Sequence, residues 1–276
     1  MEPGAAGRFV ARYRVHFAAA AFLAYLDAAR LIAGAVSRAA LAAGLCFASL
    51  LQAVYLFNML HDSAEDVRNS AATRLSDRER VWVAASAAAC LIAPLPFIFA
   101  LPRLLPAYLG IATVGFLYSY PFGPKGFRLK SNALTKTAAS VASYHVFLVE
   151  VPLILQGPRG WAEWGRVLTR STDIAAVIAA FLWMNDIRDV DGDAAAGVRT
   201  LPVLVGIPAT AAAAFSVCAA SAAAVYLQGE GWMRALVPAF VGIMCLACLV
   251  VPAQKVMRTG LAAVVLLLAG LMFLRH

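Results

Sequence analysis

Charge is scarce in this 276-residue sequence: Asp, Glu, Lys and Arg make up 14% of it, against 62% hydrophobic residues and a mean hydropathy of +0.78. One soluble core cannot hide that much apolar surface, so the composition excludes an ordinary soluble domain and points to a polytopic membrane protein. No polar stretch is long enough for a separate soluble domain, so one transmembrane domain over residues 1–276 is expected. No clear break or cleavage site follows the first apolar run, which is therefore expected to be a retained helix and not a cleaved signal peptide. The 23 Lys and Arg exceed the 15 Asp and Glu, for a formal charge of +8, but no basic, aromatic-interleaved soluble face carries them. That excludes nucleic-acid binding and leaves membrane topology and phosphate handling as uses for the excess. The five cysteines, Cys46, Cys90, Cys218, Cys245 and Cys248, all fall in apolar stretches, where a thiol behaves as a small hydrophobe. Cys245 and Cys248 have CxxC spacing with no His or second Cys pair beside them, which argues for packing and against metal or redox work.

What is present is a succession of apolar runs separated by short charged or Pro/Gly-containing stretches. Their lengths predict an all-α protein with nine transmembrane helices, at about 16–33, 38–60, 81–101, 104–120, 132–156, 172–188, 202–228, 232–252 and 256–274. An odd number of crossings puts the termini on opposite sides. On this reading the N-terminal tail and the loops after spans 2, 4, 6 and 8 carry fifteen Lys and Arg, the opposite side carries seven, and Arg30 lies within span 1. The bias predicts a multi-pass protein of the cell membrane with a cytoplasmic N-terminus, cytoplasmic active-site loops and an outside C-terminus.

Two acidic clusters interrupt the apolar pattern. In the first, Asn58, Asp62 and Asp66 stand at i, i+4 and i+8, a spacing that lines one helical face; His61 lies off that stripe. In the second, Asp186, Asp189 and Asp193 have offsets of 3 and 7 and fall in one stripe, while Asp191 faces elsewhere. Both clusters sit where an apolar helix meets a loop, and spans 2 and 6 run in the same direction, so both are expected at one membrane face. Carboxylates at membrane depth are expensive and call for a compensating cation. An all-oxygen donor set suits a hard ion, and magnesium, which keeps waters and binds through a few carboxylates plus substrate phosphate oxygens, fits best.

Between the clusters runs a Pro/Gly-broken loop, Tyr118-Ser-Tyr-Pro-Phe-Gly-Pro-Lys125-Gly-Phe-Arg128-Leu-Lys130, whose cations suit diphosphate oxygens left uncovered by the metal. Asp27 and Arg30 are i, i+3 partners inside span 1, either a functional pair or a neutralising one. Tyr144, His145 and Glu150 lie in span 5; a hydrogen-bonded core role is expected of His145.

At these residues the sequence resembles the UbiA superfamily of intramembrane prenyltransferases. That family's first motif reads N-x-x-x-D-x-x-x-D, and its second is a D-x-x-D-x-x-x-D variant with a trailing Gly-x-Arg-Thr-Leu-Pro, here Gly197 to Pro202. The Tyr118 to Lys130 loop is similar to the family's basic loop between helices 4 and 5. The resemblance implies a nine-helix bundle with a cytoplasm-facing cavity. It implies Mg2+ ligation by Asn58, Asp62 and Asp66 from one side and by Asp186, Asp189 and Asp193 from the other. Arg30, Arg74 and Lys130 would grip the diphosphate, with Asn58, Tyr118 and Arg128 beside them. Met59, where many members have a second Asp, and the stretch Ser70 to Asp77 depart from the family pattern.

The implied reaction is ionisation of an allylic prenyl diphosphate, C10–C20 or longer, followed by transfer of the isoprenoid to an electron-rich aromatic, quinone-precursor or other lipophilic acceptor. A terpene cyclase of the same superfamily would keep the same site and close the cation on the prenyl chain. A CDP-alcohol phosphotransferase would need Ala-Arg after Asp191-Gly192 and a further G-x-x-x-D-x-x-x-D, both absent. A cation transporter would scatter its carboxylates along a path across the bilayer, and here they cluster. No Ser/His/Asp triad suggests nucleophilic catalysis.

Overall fold

The structure, a computed structural model, describes residues 13, 15–61, 75–122, 127–157, 160–229, 232–253, 255–257, 260 and 263. Regular structure among the described residues is helical, with two isolated β-bridges. Five helices are long and apolar enough to cross a membrane: Val15–Ala33, Arg38–His61, Asp77–Ala100, Ala133–Gln156 and Ile207–Leu227. A sixth candidate is a bent pair, Trp161–Thr169 and Thr172–Arg188, with a 45° change of direction. These match six of the nine expected spans. The runs expected at 104–120 and 232–252 are shorter helices, Leu105–Ser119 and Trp232–Ala247, and most of 256–274 lies outside the described residues. The chain is a multi-pass membrane protein, and its many exposed large apolar side chains, such as Trp82, Phe99, Leu109 and Leu227, suit contact with lipid.

The chain divides into two compact units. The first comprises residues 1–129 and 146–157. It contains α1 (Val15–Ala33), α2 (Arg38–His61), α3 (Asp77–Ile92), α4 (Leu95–Ala100), α5 (Leu105–Ser119) and, beyond α6 (Ala133–His145) of the second unit, a π-helical turn Val146–Glu150 and α7 (Val151–Gln156). Helix α3 starts at a capping box in which the Ser76 hydroxyl accepts from the Glu79 N–H and the Ser76 N–H donates to the Glu79 carboxylate. Its core is an aromatic stack. The ring of Phe147 lies between those of Tyr25 and Phe47, at centroid distances of 5.0 and 5.8 Å, and Phe47 meets Tyr108 edge-on at 5.7 Å. The Tyr108 hydroxyl donates to the Leu91 carbonyl at 2.6 Å, so its polar end is satisfied inside the apolar core.

The second unit comprises residues 130–145 and 158–276. It contains α6 (Ala133–His145), α8 (Trp161–Arg170), α9 (Thr172–Arg188), α10 (Val190–Ala195), α11 (Leu201–Val205), α12 (Ile207–Leu227) and α13 (Trp232–Ala247). Ala180, Met184 and Ile187 of α9 pack with Ala211, Ala214 and Cys218 of α12 and with Val241, Met244 and Cys245 of α13. All five cysteines are free, and Cys218, Cys245 and Cys248 belong to this core. At the start of α9, Asp173 accepts from Arg234 through both oxygens, at 2.8 and 3.0 Å, a paired charge that apolar surroundings tolerate. His145 is hydrogen-bonded, as expected, its Nε2 lying 3.1 Å from the Ser171 hydroxyl.

Close helix approach in the first unit depends on Gly44, where an added Cβ would come within 2.6 Å of the Tyr25 ring. Gly44→Val is expected to destabilise the protein by about 1–3 kcal/mol, read as a lowered melting temperature in detergent. Gly110→Ala, inside α5 and meeting nothing within 4 Å, is expected to melt at or above the wild-type temperature.

Candidate active site

In the second unit, α9 carries an apolar stretch to its last turn and there delivers Asp186, which is only 3% exposed. The helix does not continue through the motif. It stops at Asp189, whose φ and ψ of −101° and 8° form a joint, and the chain restarts as the short helix α10. The stripe expected from offsets of 3 and 7 is therefore broken at its middle member. Asp186 and Asp193 are buried and share one cation, while Asp189 accepts from the neighbouring Arg188 at 2.7 and 2.5 Å. Asp191 is exposed, in keeping with its expected orientation.

The shared cation is Lys136, on the first turn of α6. Its Nζ lies 2.7 Å from Oδ1 of Asp186 and 3.5 Å from Oδ2 of Asp193. Burial pushes the Asp193 carboxyl above its ordinary range, the Lys136 ammonium pulls it back, and the nearby Asp189 charge raises it again. The buried Thr200 hydroxyl lies against Asp193 but makes no hydrogen bond of good geometry.

Backbone contacts hold α6 against the motif. Gly197 ends α10 with a φ of +73°, a conformation in which a Cβ is strained, and the Val198 N–H returns to the Asp193 carbonyl at 2.8 Å. The chain then runs beside residues 131–133: Arg199 N–H donates to the Ser131 carbonyl at 3.2 Å, and Ala133 N–H donates to the Arg199 carbonyl at 2.8 Å. Trp183 of α9 donates its indole N–H to the Thr137 hydroxyl at 3.2 Å, one residue beyond Lys136. The Gly-x-Arg-Thr-Leu-Pro segment is in this way a clasp that fixes where Lys136 meets the aspartates. Lys130 is buried immediately before it, on the turn Leu129–Ser131.

In the first unit, Asn58 sits in the last turn of α2, 7% exposed, and its buried Oδ1 has no hydrogen-bond partner among the described residues. An unpaired buried acceptor costs about 1–3 kcal/mol, a cost that coordination of a metal ion would offset. Arg30 lies in the last turn of α1, half-buried, Tyr118 near the end of α5, and Arg128 after the Phe122–Phe127 bridge. Asp62, Asp66, Arg74 and Lys125 lie outside the described residues.

Among the described residues no three His, Cys, Asp or Glu side chains converge as a ready-made metal centre. Lys136 lies between two of the expected ligands, and Arg188 engages the third. The oxygen donors nonetheless suit Mg2+: an orphaned amide oxygen in one unit, and in the other two buried carboxylates that one ammonium leaves with excess negative charge. Sequence reasoning missed Lys136. The signal is present in the sequence, because a Lys inside the apolar run 132–156 is itself a functional candidate.

The model of the UbiA prenyltransferase family matches residues 15–274. A digeranylgeranylglyceryl phosphate synthase of Methanoculleus marisnigri is 44% identical over 71 residues, a match that spans 24% of this chain and a quarter of that protein's length. Two solved structures share the fold. A UbiA homolog from Aeropyrum pernix K1, in its apo form, has a TM-score of 0.66 at 17% identity, covering 93% of this chain and 97% of its own. A UbiA homolog from Archaeoglobus fulgidus bound to GPP and Mg2+ has a TM-score of 0.60 at 16% identity, covering 94% and 98%.

Gly197→Ala is expected to lower thermal stability in detergent by an amount equivalent to about 1–2 kcal/mol, because the left-handed conformation is costly once a Cβ is present. Gly165→Ala, in open space inside helix α8 and without that backbone conformation, is expected to leave the melting temperature unchanged or to raise it, and not to lower it.

Proposed function

The chain belongs to the UbiA prenyltransferase family, and we propose that it is a Mg2+-dependent enzyme that ionises an allylic prenyl diphosphate and transfers the isoprenoid to a lipophilic, electron-rich acceptor. The observation that carries this reading is the burial of Asp186 and Asp193 at the end of an apolar helix, in a motif whose excess negative charge calls for a cation. The family's Asn58-x-x-x-Asp62-x-x-x-Asp66 motif supplies a second oxygen set, and the orphaned Asn58 oxygen supports it. In this reading Asn58, Asp62, Asp66, Asp186, Asp189 and Asp193 hold metal, and Arg30, Arg74, Tyr118, Arg128 and Lys130, with Asn58, face the diphosphate. The binding of GPP and Mg2+ by the Archaeoglobus fulgidus homolog and the synthase activity named for the Methanoculleus marisnigri relative both agree with a prenyl diphosphate substrate.

Each group has a task set by the chemistry. The allylic carbon–oxygen bond breaks with its electron pair leaving on the diphosphate, so charge builds there in the transition state. Mg2+, when bound, neutralises that developing charge. Arg30, Arg74 and Lys130 stabilise the same oxygens; a guanidinium can bridge two of them, and the Lys130 ammonium adds a compact point charge. The apolar helices hold the isoprenoid tail and keep water from the carbocation. The acceptor then attacks the cation and loses a proton. The cytoplasmic bias of Lys and Arg supports an active site that opens to the cytoplasm.

Two interventions test this reading. Excess chelator should stop turnover of C10–C20 prenyl diphosphates, and added Mg2+ should restore it. Asp62→Ala and Asp189→Ala should each lower turnover by about 100-fold or more while the protein stays monodisperse in detergent. Full turnover in chelator, or wild-type rates from either variant, would defeat the proposal.

A further inference from the structure

Lys136 is the residue in the second unit that the family motifs leave without a task. It is only 16% exposed at its side chain, and it reaches two acidic residues of one motif, at 2.7 and 3.5 Å. Its position is built: the Arg199 clasp pins residues 131–133, and the Trp183–Thr137 hydrogen bond ties the following residue to the helix that carries Asp186. An ammonium so held lies on the oxygens that a metal ion at this motif would need.

We propose that Lys136 is a positioning residue that holds Asp186 and Asp193 as a preformed pair and competes with divalent metal for them. Without diphosphate, the second motif then takes metal weakly, because the ammonium must first leave both carboxylates. A diphosphate changes the balance by offering the ammonium other anionic oxygens, so that metal and substrate load together. The inference rests on the magnesium and diphosphate reading above and adds the order of loading. It also explains how two carboxylates remain buried before substrate arrives: the ammonium's attraction offsets the cost of taking them out of water. Arg188 performs the matching task for Asp189 at the joint between α9 and α10.

The test is Mn2+ binding to purified protein in detergent, followed by electron paramagnetic resonance of free Mn2+ and by the Mn2+ dependence of the melting temperature, with no turnover involved. Lys136→Gln should bind Mn2+ about 10-fold or more tightly than the wild type in the absence of diphosphate, since a unit charge is removed beside the ligands. Lys136→Arg should bind like the wild type, and Asp186→Asn introduced into Lys136→Gln should reverse the gain and so locate it at the second motif. If Lys136→Gln is unstable without metal, protection of its fold by Mn2+ at concentrations that leave the wild type unmoved is the same supporting result. Equal or weaker Mn2+ binding, or no such protection, overturns the inference and leaves the magnesium reading standing. Failure of both proteins to bind Mn2+, with or without inorganic pyrophosphate, overturns both.

Discussion

A carboxylate at the end of an apolar helix must find a cation, and in the second unit that requirement organises everything near the acidic motif. Asp186 is carried to its position by α9, whose other residues pack into an apolar core with α12 and α13. Asp193 arrives on a separate short helix, and Lys136 on a third element. The three meet only because Gly197 reverses the chain after α10 and because Arg199 pairs with the backbone on either side of Asn132. Loss of the cation would leave two buried negative charges facing one another, an arrangement that costs about 3–5 kcal/mol when a buried pair is broken. Conformation, packing and charge therefore depend on one another here.

The same economy of charge holds elsewhere in the molecule. Arg234 meets both oxygens of Asp173 near the opposite end of α9, and Arg188 meets Asp189 at its break, so in α9 and at its end the acidic side chains are paired with cations. Asn58, by contrast, leaves a buried acceptor without a donor among the described residues. A buried polar atom left unsatisfied, in the motif proposed to hold metal, is the kind of strain that binding would relieve.

Much of this was legible in the sequence. Hydropathy located six of the nine expected spans as long apolar helices, because a bilayer demands about twenty apolar residues with internally satisfied backbones, a signal that needs no tertiary information. The spacing of Asp186, Asp189 and Asp193 marked the motif, and the Gly-x-Arg-Thr-Leu-Pro tail pointed to the family that the whole-chain match bears out. Three features were hidden. The break at Asp189 depends on local dihedral angles that a run of helix-compatible residues does not announce. The pairing of Lys136 joins positions 50 and 57 residues apart, which spacing within a motif cannot show. Trp232–Ala247 ends five residues before the limit of the run expected at 232–252, in the turn that leads into Pro252, whereas Leu105–Ser119 agrees with the run expected at 104–120 to one residue at each end.

On the proposed function, this membrane protein ionises a prenyl diphosphate and passes the isoprenoid to an acceptor. The most direct test is product analysis of the purified protein given Mg2+ and C10, C15 or C20 diphosphates, with and without aromatic, quinone-precursor and other lipophilic acceptors. Inorganic diphosphate should be released together with a prenylated acceptor that forms only when the acceptor is supplied. A cyclised hydrocarbon formed without any acceptor, or no diphosphate release from any of the three substrates, would contradict it.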